Sequence, residues 1–136
     1  ILTSMTSYQK HNRKLLWANL IILFLFFVDC GIAHFNYADF VKELIPTYIP
    51  FRLFFTYFAG VCLTLGGVGL LIPQTQKLAS LLLGIQIAGW FILLHVPRAL
   101  TIKGDEWIGV GESLAVSGIC FMIYSILKNK ASDQPA

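Results

Sequence analysis

His95, Arg98 and Glu112 are the residues of this chain whose types and spacing suit chemistry. They stand within residues 94–113, LHVPRALTIKGDEWIGVGES, at the facing ends of two apolar segments. An imidazole that both donates and accepts hydrogen bonds, a permanently charged guanidinium and a carboxylate can together hold a head group that carries oxygens. Ionisable groups at the centre of a membrane-crossing helix cost about 2.5–3.5 kcal/mol, so they usually face partners or a cavity. Asp29 and His34, where the first apolar run ends, are of the same kind. With 1.5 Å of rise per residue, Glu112 lies about 7–8 Å below Trp107 and Asp29 a similar depth below His34, too deep for plain surface charges.

Each residue also has a plainer reading. Asp29 and Glu112 serve equally well as counterions to Arg98 and Arg52, and His34, about 140° around an ideal helix from Asp29, marks either a cavity or only the membrane interface. An opposite charge within about 4–6 Å favours ionisation, so Glu112 is expected beside Arg98 or Arg52. Cys30, Cys62 and Cys120 are scattered singly, which indicates neither a disulfide framework nor a dithiol centre nor a zinc site. No metal or haem is expected. His34 and His95 would make a haem pair only if they were opposed across one cavity.

These groups need long apolar elements to position them. The chain has 136 residues, 57% hydrophobic and 12% charged, against roughly 25% charged in an ordinary soluble domain. That composition predicts an all-α membrane protein, and its net charge of +3 is spread over segment ends with no nucleic-acid footprint. Residues 1–14 form a polar, basic N-terminal segment, 15–127 the membrane domain and 128–136 a polar tail. The basic head before the run from Leu15 resembles a signal peptide, but Asp29 and Cys30 stand where small residues should lead to a cleavage site, so a retained span is expected.

After this first span, Asn36 is a helix cap with Asp39 in the first turn, and Phe40, Val41, Leu44 and Ile45 fall on one side of a short interfacial helix that Pro46 stops. Residues 53–72 carry no charge and form the second span, with Gly60, Thr64 and Gly67 as a small-residue packing face. A short link leads to the third span, 78–96, where Ser80, Gly84, Ala88 and His95 share the bundle-facing stripe while Gln86 has no assigned partner. A polar loop over 99–106 precedes the fourth span, 107–127, with Gly111, Ala115 and Gly118 as a further small stripe.

Short links predict an up-down four-transmembrane-helix bundle with both termini on one side. That side carries Lys10, Arg13, Lys14, Lys77, Lys128 and Lys130, and the other Lys42, Arg52, Arg98 and Lys103. The basic excess places the termini in the cytoplasm. Asp29, His34, Arg52, His95, Arg98 and Glu112 then gather at the outer end around a polar pocket.

At these residues the chain resembles the DoxX-like family of small four-span membrane proteins. The likeness is carried by Ala33-His34-Phe35, by residues 45–50 (IPTYIP), by Tyr57-Phe58-Ala59-Gly60-Val61 leading to 65–71 (LGGVGLL), by His95-Val96-Pro97-Arg98, and by Glu106-Trp107 followed by 112–118 (ESLAVSG). It covers about residues 15–127. Some members carry a glutamate in the glycine-rich second span where this chain has Leu63, so no role of that acid carries over. The family is linked to terminal quinol oxidation, membrane oxidoreductase complexes and oxidative stress. The resemblance implies an accessory subunit of a redox system in a bacterial inner membrane, meeting the lipid bilayer and a redox partner subunit, with a quinone as first ligand candidate. The alternative is a scaffold or assembly factor acting through the small-residue faces, as a homo-oligomer or on a partner. An independent enzyme has less support, because no nucleophile and base spacing is present.

Overall fold

The computed structural model describes the backbone of residues 2–102 and 106–132 and the side chains of 11–102 and 106–129. The described residues are helical and turn, with no strand. The helices are α1 (Leu2–Asn36), α2 (Ala38–Leu44), α3 (Arg52–Gly69), α4 (Gln76–Trp90), a π-helical turn (Phe91–His95), α5 (Val96–Thr101) and α6 (Glu106–Ser132). Four stretches, His11–Asn36, Arg52–Gly69, Gln76–Thr101 and Glu106–Asn129, are long and apolar enough to cross a membrane. Only 22–28% of each apolar window is buried within the chain. The rest is an apolar outer surface far larger than a water-soluble monomer tolerates.

Several boundaries differ from those the sequence suggests. α1 runs through Asn36 and makes Tyr37, not Asn36, the residue before α2. The apolar residues in and just after α2 divide: Ile45, the residue following the helix, is 4% exposed and Phe40 66% exposed, so Phe40 leaves the expected inner side. The two prolines keep residues 46–51 out of a helix, as expected, and Phe51 takes a left-handed conformation (φ 55°) just before α3. α3 stops at Gly69, a few residues ahead of Pro73, where the Leu70 N–H bonds to the carbonyls of Gly66 and Gly67. The Thr75 hydroxyl then donates to the Gly69 carbonyl at 2.8 Å and closes the link to α4.

The larger correction is at Pro97. The third span does not end at Val96 but continues to Thr101. Proline has no N–H for the carbonyl four residues back, and its ring crowds that turn. Here the helix widens to a π turn, with the Val96 N–H bonded to the Phe91 carbonyl. Such turns accommodate a local defect without ending the helix. The Leu93 carbonyl, deprived of the Pro97 donor, accepts the Tyr48 hydroxyl instead. The expected loop 99–106 thus shrinks, and its Lys103 and Gly104 lie outside the described residues.

α1 packs chiefly on α3 and α4 on α6, with α3 against α4 joining the two pairs. The register of each contact descends. Gly60 meets His34 while Gly67 meets Phe27, Gly66 meets Leu83 while Gly69 meets Ala79, and Gly84 meets Phe121 while Gly109 meets His95. The second-span glycines do bring α1 close: a Cβ on Gly31 would fall 2.1 Å from Thr64 Oγ1 and 2.9 Å from the Gly60 carbonyl oxygen. Gly111 and Gly118 are different, since a Cβ there meets nothing within 4 Å. Their stripe, with Ala115, faces outward, while Ser113, Ser117, Cys120 and Ile123 are buried, the last two in the core with Leu20, Phe27, Leu63, Leu70 and Leu83.

Candidate ligand cavity

α1 and α6 do not pack closely on each other. The space left between the two helix pairs is a cavity of about 260 Å³ at the end where α1 finishes and α6 begins. Val41 and Leu44 of α2 and Ile45 just after it roof it, and Thr56, Ala59 and Leu63 of α3 form one wall. The opposite wall is Trp90, Leu94 and His95 with Gly109, Glu112 and Ser113, and α1 contributes His34 and Phe26. The lining is largely apolar with a few convergent polar groups, the usual character of a small-molecule site. Its size falls just below the roughly 300–1,000 Å³ of sites for drug-sized ligands.

Each polar group is positioned by a local feature. His34 Nδ1 lies 2.7 Å from the Cys30 carbonyl oxygen, one helical turn back. A carbonyl only accepts, so Nδ1 carries the proton and the Nε2 of the neutral ring is left as an acceptor. His95 ends the π turn, and its ring occupies the space that Gly109 leaves, where a Cβ would come 2.7 Å from Nδ1. The His95 ring makes no hydrogen bond among the described residues, while Glu106, Arg98 and Glu112 all lie within electrostatic reach of it. The hydroxyls of Thr56 and Ser113 donate to their own helices, to the Arg52 carbonyl at 3.0 Å and the Gly109 carbonyl at 2.6 Å, and keep lone pairs to accept.

Of the residues singled out from the sequence, the cavity brings together His34, His95 and Glu112 and omits Asp29, Arg52 and Arg98. Arg98 clamps Glu106 through two hydrogen bonds, Nε to Oε2 at 3.1 Å and Nη2 to Oε1 at 2.6 Å, and gives Nη1 to the Leu44 carbonyl at 3.3 Å. It rivets α2, α5 and α6 at the rim. Arg52 likewise pairs with Glu43 at 3.2 Å and reaches the Lys42 carbonyl. The expected pairing of Glu112 with either arginine is therefore not made, because Glu43 engages Arg52 and Glu106 engages Arg98. Glu112 has no ion pair or hydrogen bond among the described residues. Asp29 is exposed on the far side of α1 and pairs with neither arginine.

Sequence reasoning missed Thr56, Trp90 and Ser113 as lining residues. Thr56 was legible as the polar position one turn before Ala59 and Gly60, and Ser113 as the neighbour of Glu112. Gln86, unassigned from sequence, donates to the Ala59 carbonyl of α3 at 3.3 Å and ties the two helix pairs beside the cavity. Outside the membrane-length helices, the Lys42 ammonium hydrogen-bonded at 2.6 Å holds the Asp39 carboxyl below the ordinary carboxylate range. No group of three metal-ligating side chains forms among the described residues.

Comparison with curated proteins and with solved structures finds no match to this chain. Residues 23–103 match a protein family, described as Domain of unknown function (DUF8561), over a range that takes in Asp29, His34, His95 and Arg98 and stops short of Glu112. The matched range is more than half of the chain, and the chain belongs to that family.

Proposed function

We propose that the protein is an integral membrane protein of the bacterial inner membrane. Its four long helices cross the bilayer up and down, α2 lies at the interface, and both termini are cytoplasmic. The cavity receives the head group of a quinone-like amphiphile, and the protein serves a membrane redox system as an accessory subunit without turnover of its own. One observation carries this reading: His34, His95 and Glu112 converge on one apolar-walled cavity with hydrogen-bonding capacity that no described neighbour uses. The loose seam between α1 and α6 supports entry from the side, as suits a ligand dissolved in lipid.

The test is binding of a short-chain quinone to the purified protein in mild detergent. Saturable binding to wild type that falls at least about tenfold in a folded His95→Ala variant supports the cavity reading. Absence of saturable binding to wild type by short- and long-chain quinones defeats it. The scaffold reading has an observation of its own in the outward Gly111, Ala115 and Gly118 stripe, which lets another helix approach closely.

A further inference from the structure

Asp29 is the odd group on the outer surface of α1. It lies about 160° around the helix from the fully buried Phe27, and its carboxylate is exposed without an ion pair or hydrogen bond among the described residues. It is seven residues short of Asn36, where the helix ends, hence about 10 Å below that end. Helical side chains tilt toward the N-terminus, so this one is directed deeper and not outward. An aspartate also lacks the long apolar stem by which lysine or arginine snorkels to the surface. Leu15, Ala18, Ile22, Leu25, Asp29 and Ile32 are spaced alternately by three and four residues and all are exposed. They form one continuous apolar seam interrupted by a single charge.

The chain's own described bases at that end are already engaged. Lys42 pairs with Asp39 at 2.6 Å, Arg52 with Glu43 at 3.2 Å and Arg98 with Glu106 at 2.6 Å. A charge this deep in an apolar medium is costly unless something meets it. We propose that the outward seam of α1 docks a transmembrane helix of a partner protein that brings a lysine or arginine to the depth of Asp29. A second copy of this chain fits poorly, because parallel docking about a two-fold axis sets Asp29 against Asp29 and like charges oppose each other. The proposal rests on the bilayer-crossing reading of the helices and not on the cavity's ligand.

The full-length protein in phosphatidylcholine vesicles tests this. Resistance to alkaline carbonate extraction first reports insertion, and a chain that extracts sinks the bilayer-crossing reading and this proposal with it. In inserted protein, energy transfer follows titration with a polyleucine transmembrane peptide bearing one lysine about 10 Å from its outer end, or leucine at that position. The lysine peptide is expected to bind wild type about tenfold more tightly than the leucine peptide. That preference disappears in Asp29→Asn and persists in Asp39→Asn, whose carboxylate lies outside the spans. Equal binding of both peptides to wild type overturns the proposal, as does a lysine preference that survives in Asp29→Asn. Self-association of wild type that requires Asp29 overturns it in favour of a second copy.

Discussion

The Tyr48 hydroxyl donates to the main-chain carbonyl of Leu93, the carbonyl that Pro97 leaves without its α-helical donor. A residue of the link before α3 thereby completes a helix on the other side of the cavity. The arrangement lets the π turn that presents His95 persist in the middle of a long helix. Tyr48→Phe should lower stability by about 0.5–1.5 kcal/mol, the usual net value of one hydrogen bond. In a Pro97→Ala background, which restores the missing N–H, the same change should cost less. Thermal melts of the four proteins check this, and equal costs in both backgrounds would show that the tyrosine does not compensate for the proline.

Arg98 and Glu106 are 18% and 26% exposed, and their contact is bidentate. Hydrogen bonds to charged groups contribute about 1.5–3 kcal/mol, so Arg98→Ala and Glu106→Gln should each destabilise by that amount. The double variant should cost little more than either single change. A cycle between Arg98 and Glu112 should give coupling near zero. The reverse pattern would restore the pairing expected from sequence.

Glycines separate the inner from the outer helix faces. Gly31→Ala forces a methyl against Thr64 and the Gly60 backbone, and overpacking of this kind costs about 1–3 kcal/mol. Gly111→Ala meets open space and should be neutral or gain about 0.5–1 kcal/mol from helix propensity. Gly111→Leu therefore probes partner contact without unfolding. If it melts like wild type yet loses a copurifying partner, the scaffold reading gains.

Why these faces were only partly legible follows from the solvent. Residues 53–72 announce a helix because they carry no charge, and the histidines and Glu112 stand out because charge in such runs is rare. The direction in which each helix faces is another matter. Lipid is as apolar as a protein core, so periodicity gives little sign of inside or outside. Gly111, Ala115 and Gly118 look like a bundle contact and face outward, and Asp29 looks like a cavity acid and does not reach the cavity. Arginine partners were missed for a different reason: Glu43 falls in the expected short helix and Glu106 in the expected loop 99–106, whereas the fold draws both to the rim.

Topology is checked by labelling. Cysteines placed singly at Thr101 and Lys128, in a background without Cys30, Cys62 and Cys120, should react with an impermeant maleimide from outside and from inside respectively. The expectation rests on the six basic residues Lys10, Arg13, Lys14, Lys77, Lys128 and Lys130 at the ends proposed to be cytoplasmic, against Lys42, Arg52, Arg98 and Lys103 at the other. Opposite labelling would invert the protein in the membrane.

The two cavity histidines should divide their work between the oxidation states of a quinone-like ligand. His34 has its Nδ1 proton committed to the Cys30 carbonyl, so in the neutral form of the ring Nε2 offers only an acceptor. A quinone carbonyl also only accepts, whereas a quinol hydroxyl can donate to it. His95 has no such commitment among the described residues and can either donate to a carbonyl or accept from a hydroxyl by changing tautomer. His34→Ala should thus weaken binding of a short-chain quinol by about five- to tenfold, the order of one hydrogen bond, and leave quinone binding nearly unchanged. His95→Ala should weaken both forms. Anaerobic titration of each form against the two variants, with melting curves to confirm folding, separates these outcomes. Equal losses for quinone and quinol in His34→Ala would mean that the Cys30 bond does not fix the ring's role in the cavity.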